Sequence, residues 1–143
     1  TDSTAMNAGA TRDIIVLIKK EYGETYADAP RFYQTKSKNA QEAHEAIRPT
    51  KIQTRNGGGI GGEHKLYELI WRRTMACQMA DAEGAQTTII ATTDNPAVPA
   101  FTANGYRINF DGWLRADPAA RGEENELPAV EKSDPLTLEK IIS

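Results

Sequence analysis

The chain has 143 residues, 39% hydrophobic and 26% charged, with one cysteine and a formal net charge of −3, which is enough for one domain with a real core or for two small lobes. Its longest apolar run, "IIVLI" at 14–18, falls far short of the roughly 18 residues a membrane span needs, and no charged, apolar leader opens the chain; the expectation is a cytoplasmic protein, with which the single thiol of Cys77 agrees. Residues 1–80 hold 12 Lys and Arg against 9 Asp and Glu whereas residues 81–143 hold 5 against 11, so a polyanion would favour the first part and be repelled by the second.

The first element reads as a helix. Asn7 is a plausible N-cap, Gly23 a plausible residue just past the end, and apolar side chains at 14, 15, 17, 18 and 22 have helical spacing. Lys19 and Lys20 place cations near its negative end. Residues 24–62 are irregular, with Pro30, Pro49 and a glycine cluster. A second helix is predicted from about Glu63 to Ala80, with Leu66, Leu69, Ile70, Trp71, Met75 and Cys77 filling a broad apolar face.

After residue 80 the period changes to two. Strands are predicted at 85–93, 97–103 and 106–112, with Asn95-Pro96 between the first two and Asn104-Gly105 as a two-residue hairpin turn between the second and third. Pro99 marks its strand as an edge or a bulge. An acidic loop leads to a last strand at 135–142. The predicted class is α+β, with a mainly helical segment over 1–80 followed by an antiparallel β segment over 81–143.

Few motifs carry chemistry. "GGGIGG" at 57–62 satisfies a dinucleotide-type glycine pattern through Gly57, Gly59 and Gly62, with Asp81 about 20 residues on. The preceding "KIQTR" is too polar for the buried strand that such a fold requires, so the glycines read as a flexible connection. His44 and His64 with one distant cysteine make no zinc ligand set. Cys77, among apolar neighbours on the second helix, reads as a small buried hydrophobe rather than a nucleophile.

The stretch "NAQEAHEAIRPTK" at 39–51 is different, because it sets His44 between Glu42 and Glu45 and follows them with Arg48 and Pro49. If 42–47 form a helical turn, Gln41, Glu45 and Arg48 come within i, i+3 or i+4 reach, and His44 and Arg48 share a face. The two could then meet one phosphate, the arginine through its fork and the histidine as donor or proton carrier. On spacing alone a surface salt-bridge turn is the better reading.

With an upstream "TDST", a downstream "LYELIWRRTMACQMADA", and later "FDGW" at 110–113 and "LPAV" at 127–130, the chain resembles the central segment of bacterial type IA DNA topoisomerases. The resemblance implies an ATP-independent enzyme that relaxes negatively supercoiled DNA: a tyrosine attacks one strand to give a 5′-phosphotyrosine, the other strand passes, and the break is resealed. In that family the nucleophile stands in a Tyr-x-Arg-Thr-Asp-Ser stretch, and this sequence begins at its Thr, so none of the five tyrosines here takes that role by motif. The acidic domain that supplies Mg²⁺ has no counterpart either. The chain by itself is therefore expected to contact DNA without cleaving it, with Mg²⁺ needed only by the full-length enzyme.

The resemblance further implies that His44 contacts the DNA phosphate near the scissile position; Asp2 is expected to orient it or raise its pKa, Arg48 to hold the loop or touch the DNA backbone, and Thr1 and Ser3 to be further DNA contacts. The partner would be a single-stranded segment of negatively supercoiled duplex, and the protein a monomer associated with the bacterial nucleoid. Residues 1–80 would belong to the lobe that swings to open a gate, the later strands to the arch over the central hole, and the link near 80–85 would be a hinge. From another class, the alternative is a non-catalytic single-stranded-DNA-binding or scaffold module. A hydrolase built on His44 and a glutamate lacks a nucleophile or metal partner.

Overall fold

The structure, a computed structural model, describes residues 3–33 and 44–140. The chain is α+β, with helices α1 (Ala8–Tyr22) and α2 (Gly62–Ala76) followed by strands β1 (Glu83–Ala91) and β2 (Phe101–Phe110), which pair as a two-stranded sheet. It divides into two compact units. One contains the residues up to Ala82 together with Phe110–Arg121, and the other contains Glu83–Asn109 and the residues from Gly122 onward. Among the described residues no helix is long and apolar enough to cross a membrane.

In the first unit α1 starts where its cap permits. The Asn7 side chain accepts a hydrogen bond from Gly9 N at 2.8 Å, satisfying one of the helix's orphan donors. It stops at Gly23, whose φ of 108° is unfavourable for a residue with a side chain, and Lys19 in the last turn bridges to Glu24 at 2.8 Å. Ile14, Ile15, Leu17 and Ile18 enter the core as their spacing requires.

The second helix departs from its predicted span and from its predicted face. It ends at Ala76, where Gln78 N and Met79 N turn to the carbonyls of Met75 and Ala76 and tighten the chain to i→i+3 spacing. The buried stripe is Trp71, Thr74, Met75 and Ala76, whereas Leu66 and Leu69 are more than half exposed. The loop before the helix selects that stripe. Trp71, 1% exposed, donates its indole N–H to Ile52 O at 2.7 Å, Arg55 lies 5.1 Å from the ring centroid, and Tyr67 donates its hydroxyl to Thr54 O at 2.6 Å. The glycines expected to be a flexible connection form a defined turn. Gly58, Gly59 and Gly61 all have positive φ, and His64 Nδ1 lies 3.0 Å from Gly57 O.

Residues 110–121 return to this unit through two short 3-10 turns, Gly112–Arg115 and Pro118–Ala120. "FDGW" is the attachment. Phe110 lies 5.0 Å from the Tyr26 ring, Asp111 Oδ1 accepts the Tyr26 hydroxyl at 2.7 Å, and Trp113 N donates to Ala80 O at 2.9 Å. Gly112 has φ +47°, and a Cβ there would collide with the Asp81 carbonyl.

In the second unit the predicted second and third strands are one. Asn95-Pro96 makes the turn after β1, with Val98 N donating to Asn95 O at 3.1 Å and Ala97 N to Asn95 Oδ1 at 3.0 Å. Pro99 therefore lies in the connection. Asn104-Gly105 sits inside β2 rather than at a hairpin tip. Gly105 has no positive φ, and its missing side chain serves a close approach, since a Cβ would meet Asn125 O at 2.6 Å. Tyr106 and Asn125 form an antiparallel bridge, and Thr88 Oγ1 reaches Asn104 Oδ1 at 2.9 Å across the strands. No strand forms over 135–140, where the exposed Leu136 and Leu138 have no sheet to join; the last residues of the predicted strand lie outside the described ones.

Substituting Gly112→Ala should lower the stability of the first unit by about 1–3 kcal/mol, read as a reduced urea midpoint at unchanged slope. Gly122→Ala, at a glycine with nothing within 4 Å of an added Cβ, should stay within about 0.5 kcal/mol of the parent.

Candidate nucleic-acid interface

The site is built from a loop laid against the start of α1. Residues 44–49 form no helix. Over 44–47, the described part of the expected helical turn, no helix forms, because Pro49 disfavours helical geometry at Arg48 and because Ala46 N is engaged elsewhere, donating to Ala5 O at 2.8 Å. A second bond lies beside it, from Asn7 N to Glu45 Oε1 at 2.7 Å. The residue whose side chain caps α1 is thus itself held, through its own amide, by the loop.

Glu45 and Arg48 realise the i, i+3 pairing that their spacing suggested, without the helix. Arg48 Nε donates to Glu45 Oε1 at 2.7 Å and Nη2 to Oε2 at 3.1 Å, a fork-to-carboxylate pair, while Nη1 reaches Pro49 O at 3.2 Å. Each guanidinium nitrogen of Arg48 has a partner in its own loop. The Arg48 fork and the Asn7 amide together hold the Glu45 carboxyl below the usual carboxylate range. Glu45 is therefore committed to Arg48 and α1, not to His44; Gln41 and Glu42 lie outside the described residues.

His44 is exposed at the head of this loop. The two residues that follow it, Glu45 and Ala46, are bonded to Asn7 and Ala5, some forty residues earlier in sequence. Thr1 and Asp2 lie outside the described residues, and so does the expected pairing of Asp2 with His44. Ser3 is described, and its Oγ accepts from Ala5 N at 3.2 Å. Spacing alone did not reveal Asn7 and Ala5 as the loop's anchors, because a tether made through backbone groups leaves no residue signature.

Other candidates are absorbed by the fold. Three of the five tyrosine hydroxyls are already committed: Tyr26 to Asp111, Tyr67 to Thr54 O, and Tyr33 to Cys77 O at 2.5 Å. The hydrogen bond to Asp111 raises the Tyr26 pKa, with burial adding to the effect, and burial does the same for Tyr22. The Cys77 thiol, half-buried with Sγ donating to Thr74 O, is likewise pushed up by burial, which keeps it protonated and a poor nucleophile. Among the described residues no cluster of three or more His, Cys, Asp or Glu could hold a metal ion. The Mg²⁺ implied for the full-length enzyme has no donor set among them.

A loop that presents one exposed histidine and is pinned to a helix start can position a phosphate contact, but it carries no nucleophile. Comparison with known proteins supplies the class. The family model described as DNA topoisomerase matches residues 1–143, and the chain belongs to that family. It is 40% identical over 153 residues to DNA topoisomerase 1 of Rickettsia felis, covering 99% of this chain and 20% of that protein. Against DNA topoisomerase 1 of Streptomyces coelicolor the identity is 42% over 156 residues, covering 99% and 16%. The full-length topoisomerase I structure from Thermotoga maritima matches with a TM-score of 0.72 at 29% identity, over 92% of this chain and 20% of that one. The chain thus spans about a fifth or less of the length of these relatives.

Because the folded pKa of Glu45 is depressed, its contribution to stability is complete above the unfolded value, near 4.5, and is lost as pH falls through the lower folded value. Glu45→Gln should therefore lower the thermal midpoint near neutral pH, with the gap to the parent closing in acid. A gap independent of pH between 2 and 7 would show that the carboxylate is not the tether.

Proposed function

We propose that this chain serves within a DNA topoisomerase of type IA, an enzyme that relaxes negatively supercoiled DNA through transient cleavage of one strand, a 5′-phosphotyrosine and strand passage. The nucleophile would be a tyrosine other than the five present here. The observation that carries this reading is the exposed His44, next in sequence to the Glu45 and Ala46 that tie the loop to Asn7 and Ala5, within a chain whose residues 1–143 match the topoisomerase family. In this reading His44 donates to a DNA phosphate oxygen next to the cleaved bond, where charge builds up as the phosphodiester is attacked. Asp2 orients the imidazole, and Thr1 and Ser3 add contacts to the same backbone.

Arg48 acts mainly through position. With its fork on Glu45 it sets the loop that presents His44, and any contact with DNA would come from an edge of the guanidinium already bonded within the protein. The helical unit would form part of the mobile gate lobe and the strands part of the arch, with the chain passing between the two units near 82, 109 and 121. The partner would be a single-stranded segment of DNA in the bacterial cytoplasm, the working form a monomer, and the Mg²⁺ ligands of the full-length enzyme would come from outside these residues.

The alternative, a DNA-binding or scaffold module without a part in catalysis, predicts a different response to one substitution. In the full-length protein His44→Ala should slow relaxation of negatively supercoiled plasmid about a hundredfold at unchanged thermal midpoint. Relaxation at the parent rate would exclude His44 from the reaction. The 143-residue chain alone should form no covalent adduct with a single-stranded oligonucleotide, and an adduct would overturn the assignment of the nucleophile elsewhere.

A further inference from the structure

The sequence holds two Asn-Gly pairs, 56–57 and 104–105, and the fold treats them in opposite ways. An asparagine followed by glycine carries a latent reaction. The backbone nitrogen of the glycine attacks the side-chain amide carbon of the asparagine, with no Cβ to obstruct the approach. The bond to the side-chain nitrogen breaks, ammonia leaves with the proton of the attacking nitrogen, and a five-membered succinimide remains. Water then opens the ring at one of its two carbonyls, giving aspartate or an isoaspartate whose backbone runs through the side-chain carbon. Overall one water is consumed, one ammonia released and one carboxylate formed, with no change of oxidation state.

Two structural conditions decide whether a pair reacts. The attacking N–H must not be spent on a hydrogen bond, and the asparagine must be able to turn its Cβ nearly into plane with the next nitrogen, a rotation of ψ found in neither helix nor strand. Asn104 meets neither. It lies inside β2, where its side-chain oxygen accepts from Thr88 Oγ1 at 2.9 Å and its carbonyl accepts from Asn125 Nδ2 at 3.2 Å. Tyr106 turns both of its backbone groups to Asn125, so those of the buried Gly105 face β1. Asn56 meets both conditions. It is exposed in a bend outside any helix or strand, and neither its side chain nor the Gly57 N–H is bonded to another described residue. What holds Gly57 leaves its nitrogen alone: the carbonyl lies 3.0 Å from His64 Nδ1, and the Tyr67 ring stands where a Cβ would be.

We propose that Asn56 is a site of spontaneous deamidation in the folded protein, whereas Asn104, with the same two-residue sequence, is protected by its sheet. The reaction needs neither DNA nor a partner. Its product places a carboxylate next in sequence to Arg55, the cation over the Trp71 ring. In the isoaspartyl form it also adds a carbon to the backbone of the turn whose Gly58, Gly59 and Gly61 lead into α2. The new charge falls in the part of the chain that a polyanion would favour, and reduces that preference.

The test is to incubate the full-length protein at mildly alkaline pH, where more of the attacking nitrogen is deprotonated, and to follow its tryptic peptides by mass spectrometry. The peptide 56–65 should pass from amide to acid with time, faster at higher pH, as two chromatographically separate products. Asn104 should keep its amide in the folded protein and lose it in urea at a rate comparable to that of Asn56. Asn56→Gln, which would have to close a six-membered ring, should abolish the early product. Retention of the Asn56 amide in the folded protein would overturn the site, as would an undiminished product from Asn56→Gln. Conversion of Asn104 as fast as Asn56 in the folded protein, or a difference between them that persists in urea, would show that the fold does not set the contrast and would overturn it.

Discussion

The first unit depends on how the chain leaves α2. From Cys77 to Asp81 it makes almost no regular structure, yet it receives contacts from two distant parts of the sequence. Cys77 O takes the Tyr33 hydroxyl, the Gln78 amide pairs with Arg31, and Ala80 N donates to Tyr26 O at 2.7 Å while Ala80 O accepts from Trp113 N. Met79, between them, is fully buried. Had the helix run on to Ala80, the Ala80 N–H would have been spent on the carbonyl four residues back and could not have met Tyr26 O. The early end of α2 is thus what allows three separate stretches to share one core.

The same logic explains the side of α2 that is buried. Trp71 is fixed by a carbonyl on Ile52 and covered by Arg55, so the rotation of the helix follows from a loop that precedes it by only a few residues. Leu66 and Leu69 are left facing out although they are the more hydrophobic choice by composition. One buried tryptophan with its indole N–H satisfied outweighs two leucines, since burying the ring without that bond would strand a donor.

How far the sequence could be read follows from these contacts. α1 was legible because its signals are local: a capping asparagine, a fixed apolar spacing and a glycine stop. The end of α2 was not, because it is decided by Gln78 meeting Arg31, 47 residues away. Asn104-Gly105 misled for a related reason. Glycine after asparagine is a strong turn signal, but here the glycine answers to the approach of Asn125 and Leu127, which no local window contains. At the candidate interface the residue types pointed to His44 and Arg48, and the Glu45–Arg48 pair followed from spacing. The partners that hold the loop, Ala5 and Asn7, act through their backbones and so have no identity to read.

That tether depends on the core beneath it. Asn7 and Glu45 are 38 positions apart, and closing a loop of that length costs about 3 kcal/mol of chain entropy before any bond is gained. Two exposed hydrogen bonds and an ion pair at the surface do not offset such a cost alone. Burial of Ile52 and Pro49, just beyond the loop, supplies the remainder, so closure of the loop is coupled to the core. Loss of that burial would therefore release the loop even with Glu45, Arg48 and His44 intact.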